Sequence, residues 1–345
     1  MKTVYVLGAG ATRAVAPNMP LTVNLLPKIL ESAGQEICWF LNDFYQASTP
    51  EDLPPLEDVL TQIDFAINEN RPLSPKYTVQ YMRTLRENLI FNICDIIRGG
   101  KDINFEAAVA QMESFILSLP EDDSIISLNY DLVADTAIRL AAGWKYVNYG
   151  FPVRQAVSHQ QNKPDQITEY SPITLYKLHG SLNWLFCPLC RAVDTIDGHL
   201  SGEHYIYDEA KKKVERCTTC DVVYEPVIIT PSFLKSYENL YVSYMWRQAE
   251  NQLAQADNIV FIGYSLPDAD MILRCMFRRA YFTHTQFTGK QSGIHIIDYD
   301  PNYDPLKPND VFGRYNHLFG EITYDSRGFN QYITECKTRY DAARN

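Results

Sequence analysis

Apolar residues along this chain follow two rhythms. A short continuous apolar run stands at 4–7, and strand-like segments rich in apolar residues occur at 124–128, 174–178, 226–229, 258–262 and 294–297, with a further one near 321–324. Runs of that length suit strands buried on both faces. Between them, apolar positions return at spacings of three and four: Leu21, Leu25, Leu26, Ile29 and Leu30; then Leu56, Val59, Leu60 and Ile63; then Val79, Met82, Leu85, Leu89, Ile93, Ile96 and Ile97. That period is helical. More helices are expected over 105–119, 132–142, 236–256 and 269–283, and from about 328 onward. Thr22 offers a cap for the first of these helices, while Gly99-Gly100, Pro120 and Gly143 stop others. Residues 47–58 form a proline-rich acidic loop, and 150–172 read as polar loop. Strands that alternate with helices predict an α/β fold, a parallel sheet covered by helices on both faces. The stretch 20–120 reads as a helical insertion between the first two strands.

In such a sheet, ligands bind at the carboxyl ends of the strands. Four polar or glycine clusters stand there: Gly8-Ala9-Gly10, Asn129-Tyr130-Asp131, His179-Gly180 and Gly263-Tyr264-Ser265. Gly8 can take a tight turn, Gly10 allows close backbone approach, and the helix start that follows suits a phosphate. The third glycine of a dinucleotide fingerprint is absent, because Arg13 fills its place. Asn129 can hold a water or a hydroxyl, and Asp131 can accept from an amide; an Asx turn capping the next helix is the alternative for this pair. His179 has the chemistry of a general base, the alternative being a hydrogen-bonded core histidine. Ser265 can bond phosphate or ribose. Asp268 and Asp270 precede a helix, where acids complement the positive end.

Cysteine spacing adds a second kind of chemistry. Four of the eight cysteines, Cys38, Cys94, Cys275 and Cys336, are isolated in apolar segments and read as reduced core residues, and the rest form two C-x-x-C knuckles, Cys187/Cys190 and Cys217/Cys220. Two knuckles supply the four thiolates of a closed structural zinc site. The 26 residues between them exceed the usual run of about 15 to 20, which lengthens the ribbon without disturbing ligation. Zinc would staple a module with little core of its own.

Composition narrows the function classes. The chain of 345 residues is 46% hydrophobic and 21% charged, with a net charge of −11. That is a globular composition without the basic face of a general nucleic-acid binder. No apolar run is long enough for a membrane span and no signal peptide stands at the start, so a cytoplasmic location is expected.

Taken in order, these motifs resemble the sirtuin superfamily, and most of all the SIR2-like branch found in bacterial antiphage defence. The residues that carry the resemblance are Gly8-Ala9-Gly10-Ala11-Thr12, Ser127-Leu128-Asn129-Tyr130-Asp131, Lys177-Leu178-His179-Gly180-Ser181-Leu182-Asn183-Trp184, the two cysteine knuckles, Ile229-Thr230-Pro231, and Ile262-Gly263-Tyr264-Ser265-Leu266-Pro267-Asp268-Ala269-Asp270. The resemblance implies a Rossmann-like NAD-binding core formed by 1–19, 121–184 and 225–345, with the 20–120 insertion and a zinc module at 185–224. It implies that Gly8, Ala9, Gly10 and Thr12 bind pyrophosphate. Asn129 would hold the nicotinamide ribose or the attacking water, and Asp131 would lie at the nicotinamide pocket. His179 would be the base, with Gly263 and Ser265 on the adenosine side. The usual Asn-x-Glu contact to the adenosine ribose is missing, and Asp298 or Asp300 stands near its place. Deacylating sirtuins carry Gly-x-Pro-x-Phe-Arg after the glycine turn and Phe-Gly-Glu beyond the zinc module; here neither string occurs, and the second place reads Val227-Ile228-Ile229-Thr230-Pro231-Ser232-Phe233. The implied activity is NAD+ glycohydrolysis to nicotinamide and ADP-ribose, as an NAD-depleting effector. The rivals are an NAD-dependent protein deacylase and a non-catalytic NAD or ADP-ribose sensor. A homo-oligomer and a separate sensor or helicase-like ATPase partner are implied at family level, without direct nucleic-acid or membrane binding.

Overall fold

The computed structural model describes residues 1–32, 35–47, 49–99, 103–141, 146–155, 170–195, 216–234 and 240–344. Seven parallel strands form the main sheet. They are β1 (Thr3–Leu7), β2 (Ser124–Ser127), β3 (Tyr146–Asn148), β5 (Tyr170–Lys177), β9 (Asn258–Ile262), β10 (Gly293–Ile297) and β11 (Thr323–Asp325), in the order β11-β10-β9-β1-β2-β5-β3. Among the described residues, β4 (Arg154–Gln155), β7 (Val193–Thr195), β6 (Gly180–Phe186) and β8 (Glu225–Ile228) make a second sheet in that order. This small sheet takes β6 and β8 from the two flanks of the cysteine segment.

Register decides where the strand ends fall. Leu7 pairs with both Ser127 and Ile262, Ser127 with Lys177, and Ile262 with Ile297. The four neighbouring strands therefore end level with β1, and the residues after them share one carboxyl edge. The chain works outward from β1 on the β2 side and returns on the β9 side, so the strand order reverses beside β1. Ligand crevices in open α/β sheets form at such a switch point.

Helices cover both faces, as the alternating pattern predicts. Tyr5 packs edge-on against Phe115 of α6 (Phe105–Ile116), which contacts α1 (Ala9–Val15), α7 (Val133–Ala141) and α11 (Phe329–Arg344). Phe261, opposite Val6 in the register and so on the other face, packs against Phe277 of α9 (Met271–Thr288) and Tyr315 of α10 (Asp310–Phe319). Helix α8 (Leu240–Ala254) packs on α9 and reaches β5. In the insertion, α2 (Thr22–Ser32), α4 (Leu56–Asn68) and α5 (Val79–Gly99) pack on one another through the buried apolar positions Leu26, Ile29, Val59, Leu60, Ile63, Met82 and Leu89. Among the described residues, no helix is long and apolar enough to cross a membrane.

Some elements depart from the sequence pattern. Helix α3 (Gln35–Tyr45) is carried by only Ile37, Phe40 and Leu41, with Phe40 against Tyr77. Helix α10 begins with Asn309, whose side chain accepts from Phe312 N. Strand β6 mixes Ser181 and Asn183 with apolar residues, yet is buried throughout apart from its last residue. The polar stretch 150–172 contains β4 and the start of β5; its residues 156–169, the expected helix start at 236, the stops at Gly100 and Gly143, and residues 196–215 between the knuckles lie outside the described residues.

The glycines at the switch point first serve the protein itself. Gly8 N donates to Ile262 O at 2.9 Å and Gly10 N to Gly263 O at 2.8 Å. A Cβ on Gly8 or Gly10 would fall within 2.8 Å of Gly263 O, and Gly263, at φ +57°, has Ala11 N 2.2 Å from its own Cβ position. Two strand-end turns thus touch backbone to backbone. Gly263→Ala combines a positive φ with overlap against backbone, and is expected to lower the unfolding free energy by about 2 kcal/mol or more in urea denaturation. An unchanged midpoint would contradict this packing.

Candidate active site

Asn129 follows β2 at the switch point. Its Nδ2 donates to Gly8 O at 2.9 Å and to Thr12 Oγ1 at 3.0 Å, and its backbone N donates to Ser127 Oγ. Gly8 O can only accept, so the amide orientation is fixed. Both amide hydrogens are committed to the glycine turn, and Oδ1 is the group left to accept a hydrogen bond. Thr12 is buried and its hydroxyl donates to Asp131 Oδ2 at 2.8 Å while accepting from Asn129. Asp131 Oδ1 accepts from Val133 N at 3.0 Å, the Asx turn that sequence offers as an alternative. Burial raises the Asp131 carboxyl above the ordinary aspartate value, against the pull of Lys177, Val133 N and Thr12. In this arrangement Thr12 and Asp131 position Asn129 and the loop around it.

His179 follows β5 and is buried. Its Nδ1 lies 3.1 Å from Leu128 O, the residue before Asn129. A carbonyl can only accept, so Nδ1 carries the proton in the neutral ring and Nε2 carries the lone pair. Nε2 faces Asp270 Oδ1 at 3.9 Å. Asp270 is buried, and its Oδ2 accepts from Tyr264 OH at 2.6 Å. Burial first, then the Asp270 charge, holds the Tyr264 phenol well above its ordinary value, so it remains a donor. In sequence, Asp270 reads as an acid at a helix start. It does occupy the N-cap of α9, yet its side chain makes no capping bond. The signal was its place inside the Gly-Tyr-Ser-Leu-Pro-Asp-Ala-Asp string. Gly180 turns the chain from His179 into β6: its φ is +86° and a Cβ would meet Val227 O.

Behind the two strand ends lies a buried polar ladder. Lys177 Nζ, fully buried, pairs with Asp135 Oδ2 at 2.8 Å and donates to Asp131 O. Asp135 Oδ1 accepts from Tyr149 OH at 2.6 Å, Tyr149 OH accepts from Asn183 Nδ2, and Asn183 Oδ1 accepts from Ser181 Oγ. Lys177→Met would strand the Asp135 carboxylate in the interior, with an expected loss of about 3–5 kcal/mol in chemical denaturation. Adding Asp135→Leu should return part of that loss.

The remaining residues expected at the site stand around the same edge. Ala9 and Gly10 are half-buried on the turn, and Ser265 is exposed on the loop after β9. That loop is held by its carbonyls: Gly263 O accepts from Gly10 N, Tyr264 O from Tyr315 OH, Ser265 O from Arg314 Nε, and Leu266 O from Arg274 Nη2. Asp298 sits past β10, where Oδ1 accepts from Tyr299 N and Oδ2 from Tyr324 OH, so both oxygens have partners within the protein. Asp300 Oδ2 accepts from Asn309 Nδ2. On the other flank, Tyr130 OH donates to Ile229 O and Ile229 N to His179 O. The segment after β8 is tied to the insertion, since Phe233 N donates to Thr61 Oγ1 and Arg86, paired with Asp64, reaches Thr230.

The two knuckles form one cluster. The sulfurs of Cys187, Cys190, Cys217 and Cys220 all lie within 4.8 Å of one another, and Cys190 and Cys217 are 3.7 Å apart. A tetrahedral ion with metal–sulfur bonds of about 2.3 Å sets its ligands about 3.8 Å apart, so the donor set fits zinc. The thiols do not ionise alike. Burial opposes ionisation of Cys217, yet the amides of Thr219 and Cys220 and the Arg154 guanidinium bring it down to about 6, whereas burial and the neighbouring sulfurs push Cys220 up to about 12. Arg154 binds both oxygens of buried Asp194 while its Nη2 lies 3.7 Å from Cys190 and Cys217. Among the described residues, the apolar core around the cluster comprises Leu185, Tyr224 and the two buried cysteines, with Val222 packed against it.

Comparison with known proteins follows from this geometry. The family described as "SIR2-like domain" matches residues 123–301, just over half of the chain, including Asn129, His179, all four clustered cysteines and Asp270. No curated protein matches. Among solved structures, a Sir2 in complex with the inhibitor EX-527, 2′-O-acetyl-ADP-ribose and a deacetylated p53 peptide aligns over 98% of this chain and 93% of its own. At 13% identity and a TM-score of 0.39, that likeness carries no argument here. On the strength of the family match, the chain belongs to the SIR2-like family.

Proposed function

We propose that the chain is an NAD+ glycohydrolase that cleaves the nicotinamide–ribose bond, giving nicotinamide and ADP-ribose. The observation that supports this most is the pairing of Asn129 and His179 beside the glycine turn. Asn129 is locked by Gly8 O and Thr12, and His179 is anchored on Leu128 O. A fixed acceptor and a fixed nitrogen base stand on neighbouring strand ends. Nicotinamide leaves as a neutral molecule, so the bond can break through an oxocarbenium-like state without a general acid. What remains is to hold water near the ribosyl carbon, the work of Asn129 Oδ1, and to orient or deprotonate a hydroxyl, the work of His179 Nε2. In this reading Gly8, Ala9 and Gly10 cradle the pyrophosphate, with Gly263 and Ser265 on the adenosine side. Asp298 bonds the adenosine ribose, and the four cysteines hold a structural zinc. The reading includes a cytoplasmic effector that depletes NAD+ in antiphage defence and works as an oligomer, with a separate sensor or helicase-like ATPase as partner.

The test is nicotinamide release from NAD+ by the purified chain, with and without an acetylated lysine peptide. A hydrolase releases nicotinamide without peptide. Release only with peptide would mean a deacylase, and binding without release a sensor.

A further inference from the structure

We propose that Asp270 is the electrostatic partner of His179, stabilising the imidazolium that forms when Nε2 takes a proton. The proposal rests on the assignment of His179 as the base in the reading above, and it adds a residue from the far side of the switch point to that machinery. Nδ1 is committed to Leu128 O, so Nε2 is the nitrogen that accepts. Asp270 Oδ1 stands 3.9 Å away. That is too long for a direct hydrogen bond and well inside the range of strong charge interaction. Both side chains are about nine-tenths buried, at 10% and 7% exposure, so solvent screens the pair little. Tyr264 OH holds the other carboxylate oxygen at 2.6 Å, and Tyr264 is itself fixed through Tyr315.

The other ionisable neighbours leave this pairing in place. Tyr130, from the loop after β2, lies with its ring 6.3 Å from the imidazole. Lys177, two residues back on β5, is turned to Asp135. Arg274, one turn along α9 from Asp270, is paired with Asp268 and bonded to Leu266 O. The step is a simple transfer. A hydroxyl gives its proton to the Nε2 lone pair, the O–H bonding pair stays on oxygen, and the Asp270 carboxylate remains ionised beside the new imidazolium. A hydroxyl oxygen within hydrogen-bond reach of Nε2 can also lie within reach of Oδ1, since the two atoms are only 3.9 Å apart. Asp270 is thus a positioning and charge-stabilising residue acting through His179.

Isotope-labelled full-length chain tests this by NMR titration, with His179→Gln to assign the imidazole signal. In the wild type, the Asp270 carboxyl carbon should shift a second time at the pH where His179 titrates. In Asp270→Asn, the His179 midpoint should move to lower pH, a fall of about tenfold or more in proton affinity, and Asp270→Glu should restore most of it. An unmoved midpoint in Asp270→Asn, or a single inflection for Asp270 in the wild type, would overturn the proposal; the wild-type measurement stands even if the variant does not fold. The titration needs no turnover. A moved midpoint in a chain that releases no nicotinamide from NAD+ would uphold the pairing and sink the glycohydrolase reading.

Discussion

His179→Ala is expected to slow nicotinamide release from NAD+ by a factor of about 10²–10⁴, with the fold intact. The loss should fall on kcat and leave KM nearly unchanged, because Nε2 acts on the reacting ribose in the transition state. Folding should survive, since the hydrogen bond lost at Leu128 O is worth about 1 kcal/mol and Asp270 keeps its bond from Tyr264 OH. Asn129→Ala should be as damaging for a different reason. It removes the acceptor for water and also unties the β2 loop from Gly8 O and Thr12. Thr12→Val is a useful companion: it keeps the volume but cuts the link between Asn129 and Asp131. Its loss should be smaller than that of Asn129→Ala, because Gly8 O still holds the amide. Near-wild-type turnover in both alanine variants would remove these residues from the chemistry.

The second large effect is expected at the cysteine cluster. Cys217→Ser should drop the metal content from about one zinc per chain to near zero, read by atomic emission, and melt the segment around the knuckles in amide exchange. Among the described residues, the apolar side chains packed on the cluster are Leu185, Tyr224 and the partly buried Val222. Structural zinc can supply about 10–16 kcal/mol of folding free energy to such a unit, more than burial of these side chains. The damage should spread to the small sheet, because Leu185 and Phe186 of β6 run directly into Cys187. Cys38→Ser should leave zinc content unchanged; Cys38, like Cys275, is exposed and not in the core that its apolar segment suggests, whereas Cys94 and Cys336 are buried. Retention of stoichiometric zinc by Cys217→Ser would rule out the four-thiolate site.

Much of this architecture is legible in the sequence because burial on both faces writes a simple signal. The runs at 4–7 and 259–262 are apolar throughout, and both lie in central strands. The knuckles are legible because metal ligation demands fixed residue types at fixed spacing. Harder to read is any residue whose purpose is set by a distant partner. Asp270 looks like a helix-start acid, and only the fold brings it to His179, 91 positions away in the chain. Thr12 and Asp131 look like ligand contacts, yet each spends its polar atoms on Asn129 or its loop. Gly10 and Gly263 suggest room for a ligand, while each packs against the other's backbone and Gly263 also against Ala11 N. Lys177 and Asn183 stand in the quoted motif with no visible chemistry, and the structure gives them a buried ladder with Asp135 and Tyr149. Strand β6 is hard to read because its polar residues, which look solvent-exposed in sequence, are satisfied inside that ladder.

The central claim is that this chain passes the ribosyl group of NAD+ to water at the Asn129–His179 site. Incubation of the wild-type chain with NAD+ in ¹⁸O-labelled water, followed by mass spectrometry, tests it most directly. The account predicts free nicotinamide and ADP-ribose carrying one ¹⁸O, without any peptide and without either product in Asn129→Ala. Nicotinamide release that requires an acyl-lysine peptide and yields acylated ADP-ribose, or no release at all, would contradict it.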